Sequence, residues 1–333
     1  MQSVKREIWL PFFVALVVAG VVFFVGVFLN SEKKTSHILF ETETNYYTMR
    51  IVEVETGLES TARIMYLDID SHSVVFSNPE EGPILYTSLA PALALLVPSA
   101  EDIHVIGAGA YVLPSGFAEV LPDANISVTE IDPQVEQAAV DYFGLDTERI
   151  TTIAKDARVY FANDNPSYDI VFGDAYNSFI SVPWYLTTRE FTELVKSRLT
   201  PNGMYAMNMI GSFEGESSKF FQSILKTFSS TFPNYYIFGF GNDPARSQNI
   251  VIVGMNGELP LSIDDFKKRL GESEVTRPFA RFLVTNQDID TSEGILLTDD
   301  FAPVENLMIP AMKEYFGPYL TSFRETIAER GVE

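Results

Sequence analysis

The sequence predicts an α/β protein: a doubly wound sheet, preceded by a small antiparallel β unit and an N-terminal transmembrane helix. Three observations predict it. Residues 100–255 alternate short apolar strands with helical segments, the pattern of a layered α/β sheet. The turn Gly107-Ala108-Gly109 follows the first of those strands, and the next ones end in acids. Ile8 to Leu29 runs 22 residues without a charge.

The apolar stretch comes first. At about 1.5 Å per helical residue it would cover roughly 33 Å, enough for a bilayer core. Pro11 lies near its start, where a helix tolerates proline. A cleaved signal peptide is the rival reading, but Phe28-Leu29-Asn30 offers no small-x-small cleavage site. Lys5 and Arg6 precede the span and Lys33 and Lys34 follow it, so the positive-inside count is a tie. A single-pass membrane protein is expected.

Residues 37–78 hold short runs rich in Thr, Tyr, Val and Ile: His37–Phe40, Tyr46–Val54, Ala62–Leu67 and Ser73–Phe76. They read as an antiparallel sheet. Ile84–Leu96 is Ala/Leu-rich and predicts a helix. Strands follow at His104–Ile106, Ser127–Glu130, Thr151–Ile153, Asp169–Gly173 and Met204–Met209, then at Tyr235–Gly239 and Asn249–Val253. Helices are expected at Pro133–Tyr142 and Thr188–Leu199. Ala311–Glu329 reads as a surface helix. The expected division is an anchor at 1–34, a β domain at 35–80, an α/β domain at 81–310 and a tail at 311–333.

Composition narrows the function classes. The 333 residues carry a formal charge of −22 and no cysteine. Disulfides, thiolate metal sites and a Cys nucleophile are excluded. The histidines His37, His72 and His104 are scattered, so no metal site is expected. Four basic and two acidic residues fall in 1–34; the acidity belongs to the body. Such a surface repels phosphate backbones, and nucleic acid is not an expected partner. Cationic small molecules would be attracted, and the plainer alternative is solubility or a salty habitat.

The candidate chemistry sits at strand ends. Gly107 and Gly109 let a ligand approach the backbone, although Val112 occupies the place of a third fingerprint glycine. Glu130 ends the second strand, 23 residues after Gly107, where an acid commonly binds ribose hydroxyls. Asp156-Ala157 follows the third strand and could meet an adenine amino group. Asp174 ends the fourth and would face a substrate. Each has a plainer alternative: a tight turn for the glycines, helix caps for Asp132 and Asp156, a loop-capping buried acid for Asp174.

These residues resemble the spermidine synthase (polyamine aminopropyltransferase) family, built on the class I S-adenosylmethionine-dependent methyltransferase fold, a Rossmann-like sheet. The resembling segments are Glu41–Val54, Gly82–Ala90, Gly107–Pro114 (GAGAYVLP), Thr129–Pro133 (TEIDP), Lys155–Phe161 (KDARVYF), Tyr168–Ser178 (YDIVFGDAYNS) and Leu186–Gly203. LTDDFAPVENL, Leu297–Leu307, is similar to a tail motif of the family's divergent, membrane-attached branch. The chain departs from the family at Ala110 and Asn177, where acids are usual, at Thr87, and at Arg50, where a glutamine is usual.

The resemblance implies transfer of an aminopropyl group from decarboxylated S-adenosylmethionine to putrescine or a related amine, with no metal and no tightly bound cofactor. It assigns Gly107, Gly109, Glu130, Asp156 and Ala157 to the nucleoside donor. Tyr86 would line the amine channel, and Asp174 would bind the amine and take its proton. Both substrates are cytoplasmic metabolites, which would put the body on that side; a homodimer stays open. Two other readings remain. Arg50 could pair with the carboxylate of intact S-adenosylmethionine, pointing to methyltransferase-like chemistry on another acceptor. The missing acids could mark a non-catalytic, membrane-tethered nucleoside-binding protein.

Overall fold

The computed structural model describes residues 36–56, 60–68, 70–78, 85–163, 166–176, 182–285 and 289–314. The expected span Ile8–Leu29 lies outside them, as do residues 82–84, Asn177 and everything after residue 314. Among the described residues no helix is long and apolar enough to cross a membrane.

Two sheets organise the chain. The first is an antiparallel meander of β1 (Ser36–Glu43), β2 (Thr48–Glu55), β3 (Thr61–Leu67) and β4 (Asp70–Phe76). Strand side chains point alternately to opposite faces. Met49, Ile51, Met65 and Leu67 accordingly join the main core, while Val52, Ile64 and Tyr66 pack together on the other face.

The second sheet has seven strands: β5 (Asp102–Ile106), β6 (Asn125–Glu130), β7 (Ile150–Ala154), β8 (Tyr168–Gly173), β9 (Leu199–Gly211), β10 (Tyr235–Gly239) and β11 (Gln248–Met255). Their order is β10-β11-β9-β8-β5-β6-β7. β5 to β9 pair in parallel, and β11 and β10 close the edge antiparallel. The central strands are apolar on both faces because both are covered. Ile170 and Phe172 of β8 enter one core and Val171 the other; Met204 and Ala206 of β9 likewise oppose Tyr205 and Met207.

Helices alternate with these strands: α1 (Ala90–Ala94), α2 (Val112–Val120), α3 (Pro133–Phe143), α4 (Ala157–Phe161), α5 (Arg189–Lys196), α6 (Ser218–Thr231) and α7 (Ile263–Gly271). Residues 304–314 form α8. The chain builds outward from β5 to β7, then returns to place β8 on the other side of β5. At that reversal the strand carboxyl ends part into a crevice.

Three expectations change. The helix expected over Ile84–Leu96 reduces to a 3₁₀ turn at Tyr86–Ser88 and the five-residue α1. Pro91 confines its start, and Pro98 disfavours helical backbone at Val97. β9 begins five residues before the expected Met204. The C-terminal helix starts at 304 rather than 311. Its described part buries one face, Val304, Leu307, Met308 and Ala311 at helical spacing, and exposes the other; the remainder of the expected surface helix, residues 315–329, lies outside the described residues.

His104 is a core residue. Its ring bonds Ser127 Oγ at 2.8 Å and Thr129 Oγ1 at 3.1 Å and stacks on Tyr160. Burial pushes its pKa down to about 3, so it stays neutral.

Packing at the antiparallel edge gives one stability prediction. A Cβ on Gly254 of β11 would stand 2.5 Å from Phe232 Cβ and 2.6 Å from Phe228 Cε1. Both rings belong to buried core. Gly254→Ala should therefore destabilise the protein by about 1–3 kcal/mol through overpacking. Thermal melting checks it; an unchanged midpoint would show that α6 yields freely.

Candidate functional site

Loops from β5, β6, β7 and β8 converge at the crevice. Gly107 leaves β5 with φ +84°, its N–H donating to the Thr129 carbonyl at 2.8 Å. A Cβ there would lie 2.7 Å from the Asp174 carbonyl oxygen. Only glycine combines that backbone with that approach. Gly109 also has positive φ, and a Cβ on it would meet Ser73 Oγ at 2.5 Å. The neighbouring Ala110 donates its N–H to the same Ser73 oxygen at 2.9 Å, tying the glycine turn to β4.

Glu130, at the end of β6, grips both adjoining loops. Its Oε2 accepts from the Ala108 N–H and its Oε1 from the Asp132 N–H, each at 3.0 Å. Burial pushes its carboxyl up, and those backbone donors oppose the rise. A carboxylate has about four lone-pair sites, so capacity for two ligand hydroxyls remains. Asp132 caps α3, accepting from the Gln134 N–H at 3.0 Å. Asp156 caps α4 through Oδ1, which accepts from Val159 N–H at 2.9 Å. Its Oδ2 accepts from the Tyr185 hydroxyl at 2.9 Å. The capping alternative thus describes both aspartates, and Asp156 faces the cleft besides.

Asp174 follows β8. Its Oδ1 accepts from Asn208 Nδ2 at 2.8 Å and its Oδ2 from the Tyr86 hydroxyl at 3.1 Å. Asn208 Oδ1 accepts in turn from Asn249 Nδ2 at 3.2 Å. Burial pushes the Asp174 carboxyl up to about 7, and the two side-chain donors hold it from going higher. The same burial, with Asp174 nearby, pushes the Tyr86 and Tyr176 phenols well above their ordinary value. Both remain neutral donors at any working pH.

Gly107, Gly109, Glu130, Asp156, Ala157 and Asp174 line one cleft of about 690 Å³. A second cavity of about 620 Å³ lies beyond Tyr86, lined among others by Thr87, Val112, Asn208 and Asn249. His72 and Tyr176 border both. Asp174 therefore sits where the two meet, its carboxylate held by two residues of the second cavity. The structure brings Tyr86, Gly107, Gly109, Glu130, Asp156, Ala157 and Asp174 to this place.

Arg50 is not among the residues lining either cavity. Its guanidinium lies 3.5 Å from the Glu41 carboxylate and donates to the Asp68 carbonyl. Glu41 is its cross-strand partner in the β1–β2 register. The expectation that Arg50 meets a ligand carboxylate finds no support in this placement.

Sequence reasoning missed several lining residues. Tyr46 and Tyr47, between β1 and β2, line the larger cleft. Burial, with Glu130 and Asp132 nearby, pushes Tyr47 up to about 12. His72 from β4 is held neutral, its pKa pushed down to about 4 by burial. Its Nε2 has no hydrogen-bond partner among the described residues. Asn208 carried a usable signal: it is an amide inside the apolar run Met204–Ile210, and a buried amide needs partners. His72 carried none, in a strand of mixed polarity.

No protein-family model matches the chain. It is 30% identical over 244 residues to a polyamine aminopropyltransferase of Vibrio vulnificus, covering 70% of this chain and 79% of that one. In three dimensions it is similar to a probable spermidine synthase from Corynebacterium glutamicum, with TM-score 0.59 and 20% identity over 76% of this chain and 97% of that one. It is similar also to a spermidine synthase solved with the transition-state analogue AdoDATO, with TM-score 0.54 and 15% identity over 84% and 88% of the two chains. The two structural likenesses concern the fold.

Proposed function

The chain belongs to the polyamine aminopropyltransferase family, a family of transferases, and from that premise we propose that it moves an aminopropyl group from decarboxylated S-adenosylmethionine to putrescine or a related primary amine. One observation carries the reading to this chain's own residues: Asp174 stands at the junction of two cavities with a carboxyl poised near neutrality.

The chemistry is a displacement at carbon. The amine nitrogen attacks the aminopropyl carbon next to the sulfonium. The carbon–sulfur bond breaks, its electron pair stays on sulfur, and 5′-methylthioadenosine leaves. The sulfonium is already a good leaving group, so holding both partners in line supplies much of the rate. An alkylammonium resembles Lys, with an ordinary pKa of about 10.4, and must lose a proton before it attacks. Asp174 would first bind the cation and then accept that proton. Tyr86 and Asn208 fix the carboxylate's orientation while leaving each oxygen a further lone pair.

The donor would lie in the larger cleft. Glu130 would accept from the ribose hydroxyls, and Asp156 and Ala157 would border the adenine. Gly107 and Gly109 would let the donor pass close to the backbone. A purified full chain given decarboxylated donor and putrescine should release 5′-methylthioadenosine. Release of S-adenosylhomocysteine instead, only with intact S-adenosylmethionine and another acceptor, would favour the methyltransferase-like reading. No release with any donor, alongside nucleoside binding, would favour the non-catalytic one.

We further assign Ile8–Leu29 to a membrane anchor, on its length and lack of charge, with the α/β body on the cytoplasmic side where both substrates are found. In intact spheroplasts the body should resist added protease. Its digestion without lysis would place it outside.

A further inference from the structure

The tail motif Leu297–Leu307 has no part in the reaction as proposed, yet it is bonded into the cleft's foundations. Thr298 and Phe301 exchange both backbone hydrogen bonds at 3.0 Å, making a two-residue turn that presents Asp299. The turn is clamped to α5: Leu297 accepts from the Arg189 N–H at 2.9 Å, and the Asp299 N–H donates to Glu190 Oε2 at 3.0 Å. Asp299 Oδ1 accepts from the hydroxyl of Thr188, the cap of α5, at 2.7 Å. Its Oδ2 is ion-paired with Arg158 Nη2.

Arg158 carries the connection onward. It lies two residues after Asp156 in α4. Its other terminal nitrogen donates to the Tyr185 carbonyl at 2.6 Å and to Thr188 Oγ1 at 3.2 Å. Tyr185 belongs to the 3₁₀ turn Trp184–Leu186, which borders the larger cleft through Tyr185 and Leu186. The Tyr185 hydroxyl is the donor on Asp156 Oδ2. An unbroken path of hydrogen bonds therefore runs from Asp299 through Arg158 and Tyr185 to Asp156. One arm of Arg158 is held by Asp299, leaving the other fixed in direction for the Tyr185 carbonyl. A planar guanidinium that loses one carboxylate partner also loses that orientation.

We propose that Asp299 is a positioning residue for the donor: through Arg158 it sets the Trp184–Leu186 turn, and thereby the Tyr185–Asp156 wall of the nucleoside cleft. The proposal rests on reading that cleft as the donor's. It assigns the tail motif to donor affinity and leaves acceptor binding and proton transfer, across the cleft at Asp174, untouched.

The test uses the full chain and Asp299→Asn, which keeps the shape and an acceptor for Thr188 but removes the charge. Binding of 5′-methylthioadenosine by calorimetry should weaken about fivefold, the upper measure of a partly exposed ion pair whose loss releases the cleft wall. The donor KM should rise in step, while kcat at saturating donor and the acceptor KM stay within about twofold. Asp299→Glu should recover part of the affinity. In a Trp9→Phe background Trp184 is the remaining tryptophan, and its emission should shift in Asp299→Asn without ligand. Wild-type binding matched by the variant, or an equal loss of donor and acceptor affinity with lowered melting, would overturn the proposal. A wild-type chain that binds no 5′-methylthioadenosine would instead overturn the donor reading, and this proposal with it.

Discussion

Asp174→Asn should lower turnover by about 10²–10⁴, the usual cost of losing a general base, while 5′-methylthioadenosine binding changes little. The substitution keeps the volume of the side chain and removes its charge and basicity. Its hydrogen bonds can be refilled. The amide oxygen can accept from Asn208 Nδ2, and the amide nitrogen can donate to the Tyr86 hydroxyl. Glu130 and Asp156, which line the proposed donor cleft, are untouched. A folded Asn variant with full activity toward its amine would remove Asp174 from the mechanism.

The same residue sets the pH dependence. Its carboxyl is pushed up to about 7 by burial. As a base it must be ionised, so kcat/KM should rise with pH through about 7, and Asp174→Asn should lack that limb. Stability should run the other way. A group whose folded pKa lies above its unfolded value stabilises fully below the unfolded pKa, and that contribution is lost as pH climbs to the folded one. For Asp174 the window is from 3.8 to about 7, corresponding to roughly 4 kcal/mol. The Asn variant does not titrate, so its melting temperature should gain on the wild type between about pH 4 and 7. A constant difference would mean that Asp174 ionises in the folded protein as it does in water. It would also exclude the alternative that Asp174 is a structural cap needing its charge.

How much of this was legible in the sequence follows from the physics of each residue. β5 and β8 are short, apolar and bounded by polar turns, so their pattern could not be mistaken, and the acids at strand ends came with them. The cap at Asp132 was legible because Asp-Pro opens a helix locally. Arg50 was not legible: a sequence shows its charge but not that Glu41 stands opposite across a hairpin. The β4 residues bordering the cleft depend on docking one sheet against another. Ser73 and His72 reach the glycine turn and Asp174's surroundings only through that contact. The tail's bond to Arg158 spans 141 residues, and no local pattern encodes such a contact.

Glu130→Gln should be the most damaging change on the donor side. The carboxylate has two duties in one place. Each oxygen accepts one backbone N–H, from Ala108 and from Asp132, and each would accept one ribose hydroxyl. An amide cannot serve both. Its NH₂ must face one of the two N–H groups, leaving a buried donor against a donor. A buried group left unpaired costs about 1–3 kcal/mol, so the variant should melt at a lower temperature even without ligand. Binding should suffer more. One charge-assisted bond to ribose becomes a neutral bond and the other is lost, each change on the order of 1.5 kcal/mol. Affinity for 5′-methylthioadenosine should therefore fall about a hundredfold. The putrescine KM at saturating donor should move little, since Asp174 and Tyr86 keep their contacts. Calorimetric titration beside thermal melting separates the two duties. Lowered melting with unchanged nucleoside affinity would leave Glu130 as a brace between the β5 and β6 loops and take it out of the ribose site.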